Sequence, residues 1–140
     1  MHTSTLLRME SPQRAPYVPP TFEPPYRVLL LSAATEGWFQ RPDNSTRELV
    51  VARMRRFFRE WEQRGAKLLA SMDDDYFLVG QPTSLEYTIF VIYDVPSLDI
   101  VTELIQSVRE EIDGVRLDRY FRFEARVGRP AGCRCGGAIA

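Results

Sequence analysis

Leu85-Glu-Tyr-Thr-Ile-Phe-Val-Ile-Tyr93 decides the fold. β-Branched and aromatic residues dominate it, the composition that fits a pleated strand. Its second half, Ile89 to Ile92, is apolar at successive positions, so both faces of the strand are expected to be buried. Val28 to Leu31, within Tyr26-Arg-Val-Leu-Leu-Leu-Ser-Ala-Ala34, reads the same way. Two strands that are apolar on both faces belong inside a sheet, not at its edge.

Working outward, Pro42-Asp-Asn-Ser45 opens a helix. Ser45 with Glu48 three residues on makes a capping box, and Asn44 is a rival cap. Val50, Met54, Phe57, Phe58 and Trp61 recur at helical spacing, with Trp61 read as core. Arg47, Arg53, Arg55, Arg56 and Arg59 fall largely elsewhere around the helix, on a solvated side interspersed with Glu48, Glu60 and Glu62. Gly65 stops it. Lys67 to Met72 is a strand running into Asp73-Asp74-Asp75, followed by Tyr76-Phe-Leu-Val79 and a turn at Gly80-Gln-Pro-Thr83. Pro96-Ser97 begins a second helix, with Val101, Leu104, Ile105, Val108 and Ile112 on one stripe and Gly114 at its end. A last strand from about Val115 to Val127 alternates strictly. Leu117, Phe121, Phe123, Ala125 and Val127 share one parity with Arg119, while Asp118, Tyr120, Arg122, Glu124 and Arg126 share the other.

The order β-α-β-β-α-β, with two crossover helices, predicts an α+β fold of the ferredoxin-like split type, a four-stranded antiparallel sheet in the order 4-1-3-2. Two helices cover one face of that sheet. The other face leaves on the order of 500 Å², the size of the largest apolar patch on a typical monomer. A second copy packed sheet to sheet is the expected cover, giving a homodimeric α+β barrel with a cavity between the sheets.

Composition limits the chemistry. The chain has 140 residues, 44% of them hydrophobic and 26% charged, with a formal net charge of −1. That suits one domain with one core and does not suit a chain built to bind nucleic acid. No apolar run reaches the roughly 18 residues of a membrane span. Six prolines in residues 1–25 make that arm extended or disordered, residues 26–128 form the domain, and residues 129–140 form a loose Gly/Cys tail. Cys133 and Cys135 make no disulfide framework, so the cytoplasm is the expected compartment. They fall short of a tetrahedral metal site. The sole histidine, His2, lies in the arm, which sets aside imidazole-dependent nucleophilic catalysis and His-ligated metals. No cofactor and no resident metal are expected.

The outward parity of the last strand offers Tyr120, Arg122, Glu124 and Arg126. They are either an edge strand kept soluble by charge or the mouth of the inter-sheet cavity. In the second case Arg122 holds a carboxylate or enolate, and Glu124 is a base if apolar walls raise its pKa. Asp73, Asp74 and Asp75 read as a solvated turn, or as a site with Asp73 or Asp75 turned inward as a base. Trp38 and Phe39, after the first strand, rim a pocket or pack under the helix. Tyr87 and Tyr93, on one face of the third strand, donate to a substrate oxygen or are buried phenols satisfied by backbone.

Met72-Asp-Asp-Asp75, Val79-Gly80, Tyr87, Tyr93-Asp-Val-Pro96 and Arg119-Tyr-Phe-Arg-Phe-Glu-Ala-Arg-Val-Gly-Arg129 resemble the small IacB-type protein of bacterial indole-3-acetate degradation clusters. The similarity spans residues 26 to 129. It implies a dimeric α+β barrel acting on an aromatic metabolite, in catabolism or a biosynthetic cluster. Related barrels include cofactor-free monooxygenases of polyketide pathways that use a histidine this chain lacks. The family has a tryptophan in the third-strand region where this chain has Tyr87 or a neighbour. Three functions follow as expectations: a cofactor-independent enzyme that oxygenates, isomerises or cyclises a small aromatic or polyketide-like substrate; a non-catalytic metabolite binder; or a subunit-interaction protein.

Overall fold

The computed structural model describes residues 15–16, 23–40, 43–74, 76–81 and 86–129. His2, Asp75, Cys133 and Cys135, and most of the Pro-rich arm and the tail, lie outside the described residues. The fold is α+β. Strands β1 (Tyr26–Ala34), β2 (Lys67–Asp73), β3 (Ile89–Val95) and β4 (Phe121–Gly128) form one antiparallel sheet in the order β2-β3-β1-β4. The doubly apolar strands β1 and β3 take the two interior positions. Among the described residues no helix is long and apolar enough to cross a membrane.

Helices α1 (Glu36–Phe39), α2 (Asn44–Gln63) and α3 (Leu98–Ser107) connect the strands. The cap of α2 is Asp43, whose carboxylate accepts from the Thr46 amide at 2.7 Å, rather than Ser45 or Asn44. Asp43 serves because it sits in extended backbone one residue before the first helical turn, where its oxygen reaches an otherwise orphaned amide. Ser97 caps α3 by accepting from Asp99 N at 3.1 Å.

One face of the sheet meets α2 and α3. Val28, Leu30, Val91, Tyr93 and Val95 from the strands join Val50, Phe57, Trp61, Ile100, Val101 and Leu104 from the helices in one core. Trp61 lies stacked on Tyr93, ring centroids 5.3 Å apart and 4° from parallel. Phe57 packs on Phe123 at 4.8 Å, which ties α2 to the edge strand β4. Burial pushes the Tyr93 phenol up to about 12, so it stays neutral at physiological pH.

Three local readings are corrected. α3 stops at Ser107, not Gly114: Ile112 and Val115 exchange two backbone hydrogen bonds of 3.0 Å around Asp113-Gly114. Both turn residues have positive φ, 53° and 80°, the geometry an Asp-Gly pair favours in a tight hairpin turn. The last strand begins at Phe121 because Leu117–Arg119 form a single 3-10 turn that buries Leu117. Arg53, placed by its neighbours on the solvated side of α2, is 2% exposed. Its Nη2 donates to the Ser107 carbonyl at 3.2 Å, so it meets the C-terminal end of α3, where carbonyls lack intrahelical partners.

Trp61→Ala is expected to lower unfolding stability by about 3–5 kcal/mol, because it opens a cavity in a fully enclosed site and removes the stack on Tyr93. Leu49→Ala, on the exposed side of α2, should stay within about 0.5 kcal/mol of the parent. Urea titrations followed by far-UV circular dichroism measure both.

Candidate functional site

The sheet face turned away from the helices follows from the registers. Leu31 lies opposite Glu124 on one side and Phe90 on the other, and Phe90 lies opposite Met72. Leu29 lies between Arg126 and Ile92, and Ala33 opposite Arg122. Directly paired residues share a face. The face turned away from the helices therefore carries Leu29, Leu31, Ala33, Phe90, Ile92 and Met72, of which Leu31 and Ala33 are already buried within one chain, and it is bordered along β4 by Arg122, Glu124 and Arg126. A register shift between Leu68 and Ala70 decides the β2 edge. One extra residue reverses which side chains face which way, and this turns Ala70 and Met72 onto the open face.

Along the β4 border four side chains converge. Arg126 Nη2 donates to Glu124 Oε2 at 3.1 Å. The Tyr87 hydroxyl donates to the same carboxylate. Arg122 Nη2 donates to the Glu86 carbonyl at 2.9 Å, and its guanidinium lies 5.7 Å from the centroid of the Tyr87 ring. Arg122 thus holds the stretch before β3 against β4, which carries Tyr87 to Glu124. The Arg126 hydrogen bond, with that of Tyr87, holds the Glu124 carboxyl below the usual glutamate range. Partial burial, then the Glu124 carboxylate, push the Tyr87 phenol up.

This geometry alters the expected roles. The sequence reading required apolar walls to raise Glu124, whereas within one chain its hydrogen-bond donors lower it. Glu124 is a resident anion and a weak base here, and Tyr87 is a neutral hydroxyl beside it. Tyr87 and Tyr93 do not share a face of β3, because that strand begins only at Ile89. Tyr93 is sealed in the helix-side core, while Tyr87 reaches the open face. Tyr120 precedes β4 and packs against the helix-side core instead of standing beside Arg122.

Trp38 and Phe39 sit in α1, at the sheet end where β1 leaves and β4 enters. Trp38 packs toward Phe121, ring centroids 5.2 Å apart, and Phe39 is 74% exposed. Asp73 ends β2 opposite Ile89 and points to the helix side, three strand spacings or about 14 Å from β4. It is not brought to Arg122 and Glu124. Among the described residues no three His, Cys, Asp or Glu side chains group as a metal site. One polar pair went unread in the sequence. Arg27 Nε and Asp94 Oδ1 meet at 3.2 Å across the β1–β3 register. The signal was an Arg and an Asp interrupting the two most apolar strands.

A tight fit holds the Arg122 end in place. Thr35 N donates to the Tyr120 carbonyl at 2.8 Å and Thr35 Oγ1 to the Arg119 carbonyl at 2.6 Å. A Cβ on Gly37 would overlap the Arg119 carbonyl oxygen. Gly37→Ala is therefore expected to cost about 1–3 kcal/mol by pushing this crossing apart.

In a carboxyl NMR titration, Glu124 should ionise below the usual glutamate range. Arg126→Gln should raise its pKa, and Tyr87→Phe should raise it by less. Because the folded pKa is depressed, the small stabilisation it brings is present above the unfolded pKa and fades as pH falls through the folded value. An unchanged Glu124 titration in both variants would contradict the cluster.

No protein-family model matches the chain and no curated protein does either, so the chemistry rests on these side chains.

Proposed function

We propose that the chain is a cofactor-independent enzyme whose substrate, a small aromatic or polyketide-like metabolite, lies on the open sheet face. In this reading two copies pair open face to open face as a homodimeric α+β barrel of ferredoxin-like topology, in the cytoplasm. The observation that carries it is the arrangement on that face: an apolar floor one ring wide or more, with a phenol, a carboxylate and two guanidinium groups gathered along a single border. The central position of β1 and β3 supports the topology, and the resemblance of residues 72–75 and 119–129 to the IacB-type protein supports the substrate class.

The chemistry such a site suits is proton transfer at an enolisable or phenolic substrate, leading to isomerisation, cyclisation or oxygenation. Tyr87 donates to a substrate oxygen as negative charge develops there. Glu124 accepts a proton once a ligand draws Arg126 away and a second sheet excludes water, both of which raise its basicity. Arg122 keeps Tyr87 in place.

A metabolite-binding role without turnover is the second reading, and one observation favours it. Glu124 is already held as an anion by two donors, a state suited to organising a binding surface.

Sedimentation velocity should show a dimer at micromolar concentration. Phe90→Asp places a charge at the centre of the open face, away from the helix-side core, and should give a folded monomer. A wild-type monomer would sink the barrel. Turnover is tested by incubating a panel of aromatic ketones and phenols aerobically with the protein and following them by mass spectrometry. Glu124→Gln should slow conversion about 10²-fold with little change in binding. Binding without conversion of any compound would select the second reading.

A further inference from the structure

The connection between β2 and β3 leaves the sheet at one end of the open face. Asp74 N donates to the Thr88 carbonyl at 2.9 Å and Thr88 N to the Ser32 carbonyl at 3.0 Å, and past that rung the outgoing chain departs. Its return is tied down where Arg122 Nη2 meets the Glu86 carbonyl. Between these anchors Tyr76-Phe-Leu-Val-Gly-Gln81 carries no charge. Tyr76, Phe77, Leu78 and Val79 are each 75–99% exposed. Residues 76–81 make no hydrogen bond, ion pair or ring contact among the described residues. A Cβ on Gly80, whose φ is 125°, would stand in open space. Four successive apolar side chains at this exposure mark a surface made to be covered.

We propose that Tyr76–Val79 is an exchanged clasp: in the two-copy barrel it packs on the open sheet face of the second copy, over Phe90 and Ile92. Each ligand site is then roofed by the other copy and is incomplete without it. The inference rests on the face-to-face pairing proposed above and adds the segment that secures it. Area supports this. A stable interface buries about 800 Å² per partner. The open face offers on the order of 500 Å² at most, since Leu31 and Ala33 are already buried within one chain. Tyr76 and Phe77 alone add on the order of 300 Å², and Leu78 and Val79 extend it. The clasp thus supplies what the sheet lacks. Reach agrees as well. Packed sheets lie about 10 Å apart, and the chain from Asp74 to Val79 spans up to about 17 Å when extended. Two-fold symmetry makes the exchange reciprocal, each copy giving one clasp and receiving one. Edge-to-edge pairing of β2 with another β2 is disfavoured, because the register shift between Leu68 and Ala70 interrupts the ladder.

The test uses the full chain. p-Benzoyl-phenylalanine placed at position 77 is photolysed in a subunit-exchanged mixture of unlabelled and heavy-isotope-labelled protein, and the cross-linked peptides are read by mass spectrometry. The cross-links should join a light copy to a heavy one and fall on peptides holding Leu29 or Phe90 to Ile92. In a second measurement, the double variant Phe77→Ser, Leu78→Ser should raise the dimer dissociation constant about 100-fold or more, read by sedimentation over a dilution series. Its far-UV circular dichroism should match the parent, because the clasp contributes no contact to its own helix-side core. Leu49→Ala, on the exposed side of α2, should leave the dissociation constant unchanged. A dimer whose cross-links stay within one copy, or fall on α2 of the other, would overturn the clasp and leave the barrel standing. So would a dimer that forms as tightly without Phe77 and Leu78. A wild-type monomer would overturn both.

Discussion

A mismatch of surfaces governs the whole structure: β1 and β3 are apolar on both sides, and the helices cover only one. The helix side is resolved completely. Trp61 and Phe57 on α2, with Ile100, Val101 and Leu104 on α3, fill the space above Val28, Leu30, Val91 and Tyr93. On the other side Leu29, Phe90 and Ile92 have no second layer above them among the described residues. A sheet with one dry face and one open apolar face is a ligand surface or a pairing surface, and in the barrel proposed here it is both.

Strand β4 separates these two environments. Its alternation sends Phe121, Phe123 and Ala125 to the core and Arg122, Glu124 and Arg126 to the open face. An edge strand with charges of both signs is a device against uncontrolled pairing. Here the charges are also organised inward. Arg126 is drawn to Glu124, Glu124 to Tyr87, and Arg122 to the backbone before β3. Such pairs at an exposed surface contribute little to stability. Their value is positional, since they fix a phenol and a carboxylate beside an apolar floor.

The strands and helices were legible in the sequence because each rests on a local period. Successive apolar residues marked β1 and β3 as interior, and strict alternation marked β4 as an edge. The helix cap and the ends of α3 and β4 were misread from local turn chemistry, whereas the misplacements of Arg53 and Tyr87 turned on contacts between segments far apart in sequence. Arg53 looks solvated from its own helix, and only the approach of the α3 C-terminus explains its burial. Tyr87 and Tyr93 have the same parity, yet β3 starts after Tyr87, and Arg122 and Glu124 draw it to the opposite side from Tyr93. The grouping of Tyr87 with Glu124 was absent from any motif, although Glu124 and Arg126 were picked out by parity alone.

The sequence by itself determined the order of elements, the two buried strands, the side chains that alternate along β4, and the charge that leaves one domain near neutrality. Those are consequences of period and composition, which act over a few residues. Only the tertiary structure decided which polar groups meet. The β1–β4 register places Arg126 beside Leu29, the register shift in β2 turns Met72 onto the open face, and the β1–β3 register joins Arg27 to Asp94. Register is a long-range quantity: sliding a strand by one residue leaves its composition intact and sends every side chain to the other face.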